Sequence, residues 1–257
     1  MIRPVKSLGQ NFLRDENILR KITAEIDPKA GDSIIEIGPG EGALTKHLLN
    51  SEASLTFIEY DIRAVEHLKM TYPNINIIHK DFLKFELSSL DQNKLRIVGN
   101  IPYNITSPII FKMLENRDIV EDSILMTQYE VAKRITSNIG TKDYGILAVL
   151  LNTFAETKLC FKVSPSVFYP KPKVDSAVIH IRFKKEIDKE LNEKLFIKLV
   201  KASFNNRRKT LKNSLSNSIF NVYDLSRIDF DFTKRAEQIE IPDFIKLAKM
   251  FDQLANE

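Results

Sequence analysis

The chain has 257 residues, of which 43% are hydrophobic and 28% are charged, and its 38 Lys and Arg against 34 Asp and Glu give a net charge of +4. These proportions exclude a disordered tail and a fibre, and the length suits either one α/β domain or two smaller domains. The single cysteine, Cys160, can form neither an internal disulfide nor a cysteine-rich zinc site, so we expect it to be a small core hydrophobe.

The first residues contain no apolar segment of the kind found in secretory signals. The longest apolar run, 146–151, is too short to cross a bilayer. We therefore expect a soluble protein of the cytoplasm with no membrane partner.

Between residues 33 and 129 the chain alternates short β-branched runs with amphipathic helical patterns. The predicted strands are 33–38, 54–59, 75–81, 95–100 and 123–128. Such alternation predicts right-handed βαβ crossovers and a mostly parallel, doubly wound sheet.

The rest of the chain changes character twice. The proline-rich stretch 164–176 predicts a stiff extended connection, and 176–183 alternates like a strand. Beyond Glu186 the pattern is helical, with Pro242 expected at the first position of the last helix. The predicted domains are an α/β domain over 1–185 and a smaller helical domain over 186–257.

The small net charge hides an asymmetry along the chain. Residues 158–213 hold 15 Lys and Arg against five acids, a net of +10, which leaves −6 for the remainder. A solvated helix face explains such a block as readily as nucleic-acid binding does. The neighbouring Asn205, Asn206 and Thr210 are good phosphate partners and favour nucleic acid.

A candidate ligand site begins where the first predicted strand ends. The chain there runs Gly38-Pro39-Gly40-Glu41-Gly42 and leads into a helix. Glycines let the backbone turn sharply and approach a ligand at the carboxyl edge of an open α/β sheet. The spacing is not the GxGxxG dinucleotide pattern, however, and a tight turn without a ligand explains it equally well.

Carboxylates end the first three predicted strands. Glu59, at the end of the second, can accept hydrogen bonds from both hydroxyls of a ribose. Asp81, after the third, can accept from an adenine amino group, with Phe82 or Ile62 against the ring. A surface salt bridge explains any one of these acids alone, but together with Glu36 and the glycine turn they predict an adenosine ligand. Because no GxxxxGK[ST] segment is present, a nucleoside without phosphates fits best.

The fourth predicted strand ends in Asn100-Ile101-Pro102-Tyr103. An exocyclic adenine nitrogen is a poor nucleophile because its lone pair is delocalised into the ring. Acceptors aimed at its N–H groups, such as the Asn100 side-chain oxygen and the Ile101 carbonyl, would localise that lone pair. Pro102 would fix the backbone and Tyr103 would offer a stacking face, although a proline-induced strand end with a buried tyrosine is the plainer alternative. A base must leave its helix, or come from a loop, to reach such a pocket.

The chain contains, in this order, the segments GPGEG, EYD, DFL and NIPY. In this it resembles the S-adenosylmethionine-dependent adenine-N6 methyltransferases of ribosomal RNA. The chain is most similar to the KsgA (RsmA) family, which dimethylates two adjacent adenosines in a loop near the 3′ end of small-subunit (16S) rRNA. The likeness covers nearly the whole chain, including SLGQNFLRD (7–15), GNIPYNITSPIIFKML (99–114), FYPKPKVDSAV (168–178) and FNNRRKTLKNSL (204–215).

This resemblance implies a Rossmann-like S-adenosylmethionine-dependent methyltransferase domain, with an N-terminal flap and helix over 1–30, and a smaller C-terminal all-helical domain. The implied cofactor residues are Gln10, Asn11 and Leu13 in the flap, Glu36, Gly38 and Gly40 on the methionine side, Glu59 on the ribose, Asp81 and Phe82 on the adenine, and Asn100 between cofactor and target amine. Phe168 would form a second aromatic wall for the flipped base. The predicted RNA-binding residues are Lys171, Lys173, Arg207, Arg208 and Lys209.

The reaction implied is direct in-line methyl transfer with no general base. No metal is expected, because the four histidines are scattered. The implied partner is 16S rRNA, within a small ribosomal subunit or its precursor, bound by a monomer.

Three alternatives remain open from the sequence. The macrolide-resistance methyltransferases of 23S rRNA share NIPY and the cofactor motifs but generally lack the FxxRRKTLxNSL and PKVDSAV combination. A ribosome assembly factor whose methylation is secondary would also keep the tetrad. A small-molecule methyltransferase would not need the basic window.

Overall fold

The computed structural model describes residues 2–90, 92, 94–206 and 208–256. Its strands are β1 Phe12–Leu13, β2 Ser33–Ile37, β3 Ser54–Glu59, β4 Ile77–His79, β5 Leu95–Asn100, β6 Val120–Gln128, β7 Ala155–Val163, β8 Phe168–Tyr169 and β9 Ser176–Phe183. Its α-helices are α1 Glu16–Ile26, α2 Thr45–Leu48, α3 Ile62–Thr71, α4 Thr106–Glu115, α5 Tyr129–Ile135, α6 Ile146–Phe154, α7 Glu193–Phe204, α8 Leu211–Leu215 and α9 Ile241–Ala255. None of these described helices is long and apolar enough to cross a membrane.

A seven-stranded sheet has the order β4-β3-β2-β5-β6-β9-β7. Strands β2 to β6 pair in parallel, whereas β9 is antiparallel to β6, so the prediction of a mostly parallel, doubly wound sheet is confirmed. The chain builds the sheet outward through β3 and β4, then returns to β5 on the other side of β2. The strand order therefore reverses between β2 and β5, where an open α/β sheet leaves a crevice for ligands.

Several predicted element limits were wrong. The strand predicted over 75–81 covers only β4, because the Asp81 carboxylate accepts the Leu83 N–H at 2.9 Å and caps a 3-10 helix. Strand β7 was missed, and the proline-rich stretch contains the short strand β8. The last helix begins at Ile241, so Pro242 is its second residue.

The chain divides into two compact units. One combines the residues up to Ala132 with Thr157–Phe183, and the other combines Lys133–Glu156 with the residues from Lys184 onward. The chain passes between the units three times, and the last passage, between Phe183 and Lys184, lies close to the boundary predicted after Lys185. Lys133–Glu156, predicted in the first domain, packs in the second unit. The division into folding domains at 185 stays a prediction.

Aromatic side chains hold Lys133–Glu156 in the second unit. The ring of Tyr144 meets that of Phe204 edge-on with 6.1 Å between centroids, and its hydroxyl donates to the Ile239 carbonyl at 3.0 Å. Phe154 meets Phe196 in the same manner at 5.8 Å. These partners lie far away in sequence, which explains why local patterns misassigned the segment.

A buried polar network ties β5, β6 and β9 together in the first unit. Asp122 is 2% exposed and accepts from the Arg96 Nε at 2.9 Å, and its other oxygen lies 2.9 Å from the His180 Nε2. Arg96 also contacts Asp32 and the Ile26 carbonyl. Burial alone would raise the pKa of Asp122, but these hydrogen bonds outweigh burial and lower it.

We expect Asp122→Ala to lower the free energy of unfolding by about 2–3 kcal/mol, because it leaves the partly buried Arg96 guanidinium with Asp32 as its one carboxylate partner among the described residues. Urea denaturation followed by circular dichroism measures the change. Asp118, an exposed aspartate, provides the matched control, and its alanine variant should change stability by less than about 0.5 kcal/mol. Equal losses in the two variants would contradict the assignment.

Candidate functional site

A cavity of about 370 Å³ opens at the carboxyl edge of the sheet in the first unit. Its size is in the range of small-molecule sites. The predicted site residues that line it are Gln10, Asn11, Leu13, Glu36, Gly38, Gly40, Glu59, Asp81, Phe82, Asn100, Ile101, Pro102 and Tyr103. The structure thus brings together residues from five separate stretches of sequence, as their positions at strand ends predict.

The glycine turn after β2 lines one wall of the cavity. Gly38 has φ of +62°, which L side chains rarely adopt, and a Cβ there would meet no atom within 4 Å. A Cβ on Gly40 would instead lie 2.8 Å from the Phe12 Cε1. The backbone at Gly38 is therefore open for a ligand, whereas Gly40 allows the turn to pack against the N-terminal segment.

Glu59, at the end of β3, is 6% exposed and held in a fixed orientation. One carboxylate oxygen accepts the Gly40 N–H at 3.0 Å and the other accepts the Asp61 N–H at 2.8 Å. A carboxylate has about four acceptor positions, so two remain. Burial raises the pKa of Glu59, and the two N–H groups counteract this. The group can thus receive two adjacent hydroxyls, as the sequence predicts.

Glu36, near the end of β2, is 3% exposed. The Thr45 hydroxyl donates to its Oε2 at 2.7 Å. Burial raises the pKa of Glu36 from 4.5 to about 8, with the Glu59 charge acting in the same direction. A cationic ligand group beside Glu36 would favour its ionised form.

We expect Glu36→Gln to change the pH dependence of stability. The folded-state pKa is about 8 against 4.5 for a free glutamate, so the contribution of Glu36 is fully present below pH 4.5 and is lost as the pH rises through 8. The variant should gain stability relative to the wild type between pH 5 and pH 8, at up to about 1.4 kcal/mol per pH unit. Melting temperatures across this range test it, with the exposed Glu52→Gln as control.

Asp81, Phe82 and Tyr60 also line the cavity. Asp81 uses one oxygen on the Leu83 N–H, and Phe82 is 4% exposed. Ile62 does not line the cavity, so of the two ring partners considered only Phe82 is placed there. Tyr60, which is 61% exposed, is an additional aromatic surface in the lining.

Asn100, at the end of β5, has a defined amide orientation. Its Nδ2 donates to the Asn11 carbonyl at 2.9 Å. Because a carbonyl can only accept, the NH₂ must face Asn11, and the Asn100 Oδ1 faces away from it. In the described part of the chain no group donates to this Oδ1. The neighbouring Ile101 N–H donates to the Met126 carbonyl at 3.2 Å, which fixes the peptide between Asn100 and Ile101.

The N-terminal segment is held over this site by Gln10. Its Nε2 donates to the Asp61 Oδ2 at 2.9 Å and its Oε1 accepts the Val5 N–H at 2.9 Å. Hydrogen bonds from Arg63 lower the pKa of Asp61 to about 2. Gln10 therefore binds to an ionised carboxylate at the start of α3, which keeps Asn11 against Asn100.

Tyr103 is fixed by a partner that the sequence analysis missed. Its hydroxyl lies 2.6 Å from the Ser176 hydroxyl, and Ser176 is fully buried at the start of β9. Burial raises the pKa of Tyr103, so the phenol stays neutral. Thr45, which donates to Glu36, and Asp61, which accepts from Gln10, were missed as well. Of these, only Asp61 carried a local signal, that of a helix N-cap directly after a strand.

Other predicted site residues lie elsewhere. Phe168 is 5% exposed in the hydrophobic core and does not line the cavity, so its predicted role as a wall for the base stays a prediction. Cys160 is half-buried against the same core. The predicted RNA-binding residues Lys171, Lys173, Arg208 and Lys209 are exposed, and Arg207 lies outside the described residues.

Among the described residues, no group of three or more His, Cys, Asp or Glu side chains is placed to hold a metal ion.

Comparison with known proteins gives a consistent result. A family model described as ribosomal RNA adenine dimethylase matches residues 3–253. A relative from Chlorobium phaeobacteroides is 45% identical over 97% of this chain and 90% of its own length, and one from Flavobacterium johnsoniae is 43% identical over 98% and 97%. Both are named ribosomal RNA small subunit methyltransferase A.

Two solved structures are similar over the whole fold. A dimethyladenosine transferase from Plasmodium falciparum has a TM-score of 0.80 at 27% identity, covering 95% of this chain and 98% of that one. The 23S rRNA methyltransferase ErmE has a TM-score of 0.70 at 28% identity, covering 95% and 100%.

Proposed function

Because the chain belongs to the ribosomal RNA adenine dimethylase family, we propose that it dimethylates two adjacent adenosines in a loop near the 3′ end of 16S rRNA. The family prediction is confirmed, and so is the predicted fold, a Rossmann-like methyltransferase domain with a smaller helical C-terminal part. The proposal depends above all on the orientation of the Asn100 amide. Its Nδ2 donates to the Asn11 carbonyl, which leaves the Asn100 Oδ1 available to accept a hydrogen bond from a target amine.

The residues that line the cavity fit S-adenosylmethionine, the methyl donor of this family. Glu59 has two acceptor positions for the ribose hydroxyls, and Asp81 keeps a carboxylate oxygen for the adenine amine. The open backbone at Gly38 and the carboxyl of Glu36 suit the methionine part, whose amine is cationic. When bound, the donor supplies an electrophilic methyl group on a sulfonium.

The protein's own groups prepare the nucleophile. In the first transfer Asn100 Oδ1 and the Ile101 carbonyl accept the two N–H groups of the target amine, which withdraws its lone pair from the adenine ring. In the second transfer one of these acceptors holds the single N–H that the monomethylated amine keeps. Tyr103, anchored on Ser176, stacks on the base. No general base is needed, because the methylated amine can lose its proton to water. Holding the two reactants in one oriented complex supplies much of the rate.

The substrate is proposed to be small-subunit rather than large-subunit RNA. The two relatives named small subunit methyltransferase A are 43–45% identical to the chain, whereas the 23S enzyme is 28% identical. The target base must be unstacked to enter the cavity. We place the reaction in the cytoplasm on a small ribosomal subunit or its precursor, carried out by a monomer.

The decisive experiment maps the product. The protein is incubated with undermethylated small subunits, undermethylated large subunits and labelled S-adenosylmethionine, and the modified nucleotides are identified. Dimethyladenosine at two adjacent positions near the 3′ end of 16S rRNA is expected. Label in 23S rRNA alone would overturn the substrate assignment, and small-subunit binding without label would favour an assembly factor.

We expect the double variant Arg208→Glu, Lys209→Glu to raise the KM for RNA at least tenfold and to flatten its dependence on salt, because phosphate contacts release counterions. Calorimetry should give an unchanged Kd for S-adenosylmethionine. Charge reversal at Lys69, an exposed lysine on α3, is the control. An RNA KM that changes equally in both variants would contradict a specific RNA contact.

A further inference from the structure

Tyr169 presents an aromatic ring that the reaction described above does not use. The two side chains of strand β8 point to opposite faces of the strand, so that Phe168 is 5% exposed and Tyr169 is 52% exposed. Among the large apolar side chains that the structure describes as exposed, only Tyr60 and Tyr169 are aromatic. Tyr60 lines the cavity, whereas Tyr169 lies outside it.

Arg14 covers one face of this ring. Its guanidinium carbon lies 4.6 Å from the ring centroid, and its Nη2 also lies 3.5 Å from the Glu41 Oε2. Backbone pairing fixes the two side chains, because Phe12 pairs with Tyr169 and the Arg14 N–H donates to the Val167 carbonyl at 3.0 Å. The arginine and the tyrosine therefore lie stacked on each other at the surface, on paired backbone.

A short stretch of chain connects this pair to the residue that holds the catalytic asparagine. Arg14 follows Asn11, the residue that holds Asn100, by three residues of extended chain, a distance of about 10 Å. Just beyond Tyr169 come Lys171 and Lys173, both exposed, and the stretch 169–173 contains no acid. An exposed aromatic ring with several cations around it is the combination that binds single-stranded nucleic acid.

We propose that Tyr169 and Arg14 form a stacking platform for an unpaired base beside the target adenosine, with Lys171 and Lys173 along the adjoining phosphates. The base stacks on the tyrosine face that Arg14 leaves open, and the guanidinium strengthens the stack from the other side. A second stacked base holds the loop open while the target enters the cavity. This inference rests on the proposed function and adds to it a subsite for the neighbouring nucleotide.

The chain contains no tryptophan, so a single indole can report on the platform directly. In the Tyr169→Trp variant, an RNA hairpin with two adjacent unpaired adenosines in its loop should quench the fluorescence. Met70→Trp, at a 78% exposed position on α3, is the matched control and should not respond. Polyphosphate carries the charge without bases and should leave the Tyr169→Trp emission unchanged. Equal quenching in both variants, or by polyphosphate, would overturn the proposal.

Kinetics provide the second test. Tyr169→Ala should raise the KM for undermethylated small subunits about tenfold, the effect of losing one stacked base, with kcat and the Kd for S-adenosylmethionine unchanged. Tyr169→Phe keeps the ring and should retain the wild-type KM. An unchanged KM in Tyr169→Ala overturns the platform and leaves the methyltransferase assignment intact. Failure of the wild type to label adenosine refutes the proposed function, whatever the fluorescence shows.

Discussion

Replacement of Asn100 by alanine is expected to lower kcat for adenosine methylation about 100- to 1,000-fold. The variant loses the side-chain acceptor that we propose faces the target amine, and the lone pair of that amine then stays delocalised in the ring. It also loses the hydrogen bond to the Asn11 carbonyl. Cofactor affinity should fall much less than kcat, because Glu59 and Asp81 are untouched.

The measurement is single-turnover methylation with labelled cofactor and undermethylated small subunits, beside calorimetric titration of S-adenosylhomocysteine. The exposed Asn50→Ala is the control for loss of an asparagine and should react at the wild-type rate. Full activity in Asn100→Ala with normal folding would remove the role assigned to this side chain. If the affinity for S-adenosylhomocysteine fell by the same factor as the methylation rate, Asn100 would be a cofactor ligand without a role in activating the amine.

Glu59→Gln is expected to weaken cofactor binding about 100-fold. Each carboxylate oxygen already accepts one backbone N–H, so an amide must turn its NH₂ toward either Gly40 or Asp61. The substitution thus removes acceptors for the ribose and also creates a clash between donors. Hydrogen bonds to a charged group contribute about 1.5–3 kcal/mol each, and two of them account for the effect.

The loss of ribose contacts can be separated from the clash between donors by calorimetry. S-adenosylhomocysteine and its 2′-deoxy analogue are each titrated into the wild type and into Glu59→Gln. If Glu59 holds the ribose, the analogue should bind weakly to the wild type, but the variant should discriminate little between the two ligands. Glu66→Gln, at an exposed position on α3, is the matched control and should bind as the wild type does. Equal discrimination by wild type and Glu59→Gln would contradict contact with the ribose.

Glu36, Glu59, Asp81 and Asn100 could be placed together from the sequence because they sit where strands end. Glu36, Glu59 and Asn100 follow apolar β-branched runs, and parallel strands deliver their carboxyl ends to one edge of a sheet. Local periodicity was therefore enough to place them together. The same periodicity did not predict the strand order, since pairing of β2 with β5 depends on the whole sheet.

The contacts that orient these residues depend on distant parts of the chain and could not be predicted. Asn100 is held by Asn11 and Tyr103 by Ser176, each pair formed by the tertiary fold. Phe168 shows the same limit. Its role as an aromatic wall for the flipped base stays a prediction, and no local pattern indicated that pairing of β8 with β1 turns the side chain into the core and exposes Tyr169.

The position of β9 in the sheet has a consequence for synthesis of the protein. It enters between β6 and β7 and pairs with β6 along its length, from Asp122 opposite Arg182 to Gln128 opposite Ser176. At about 5–20 residues per second, the edge of β6 is made several seconds before its partner. A charged residue on a strand edge hinders pairing with other chains, so we expect Asp122 to keep the edge of β6 from such pairing until β9 brings His180 to it.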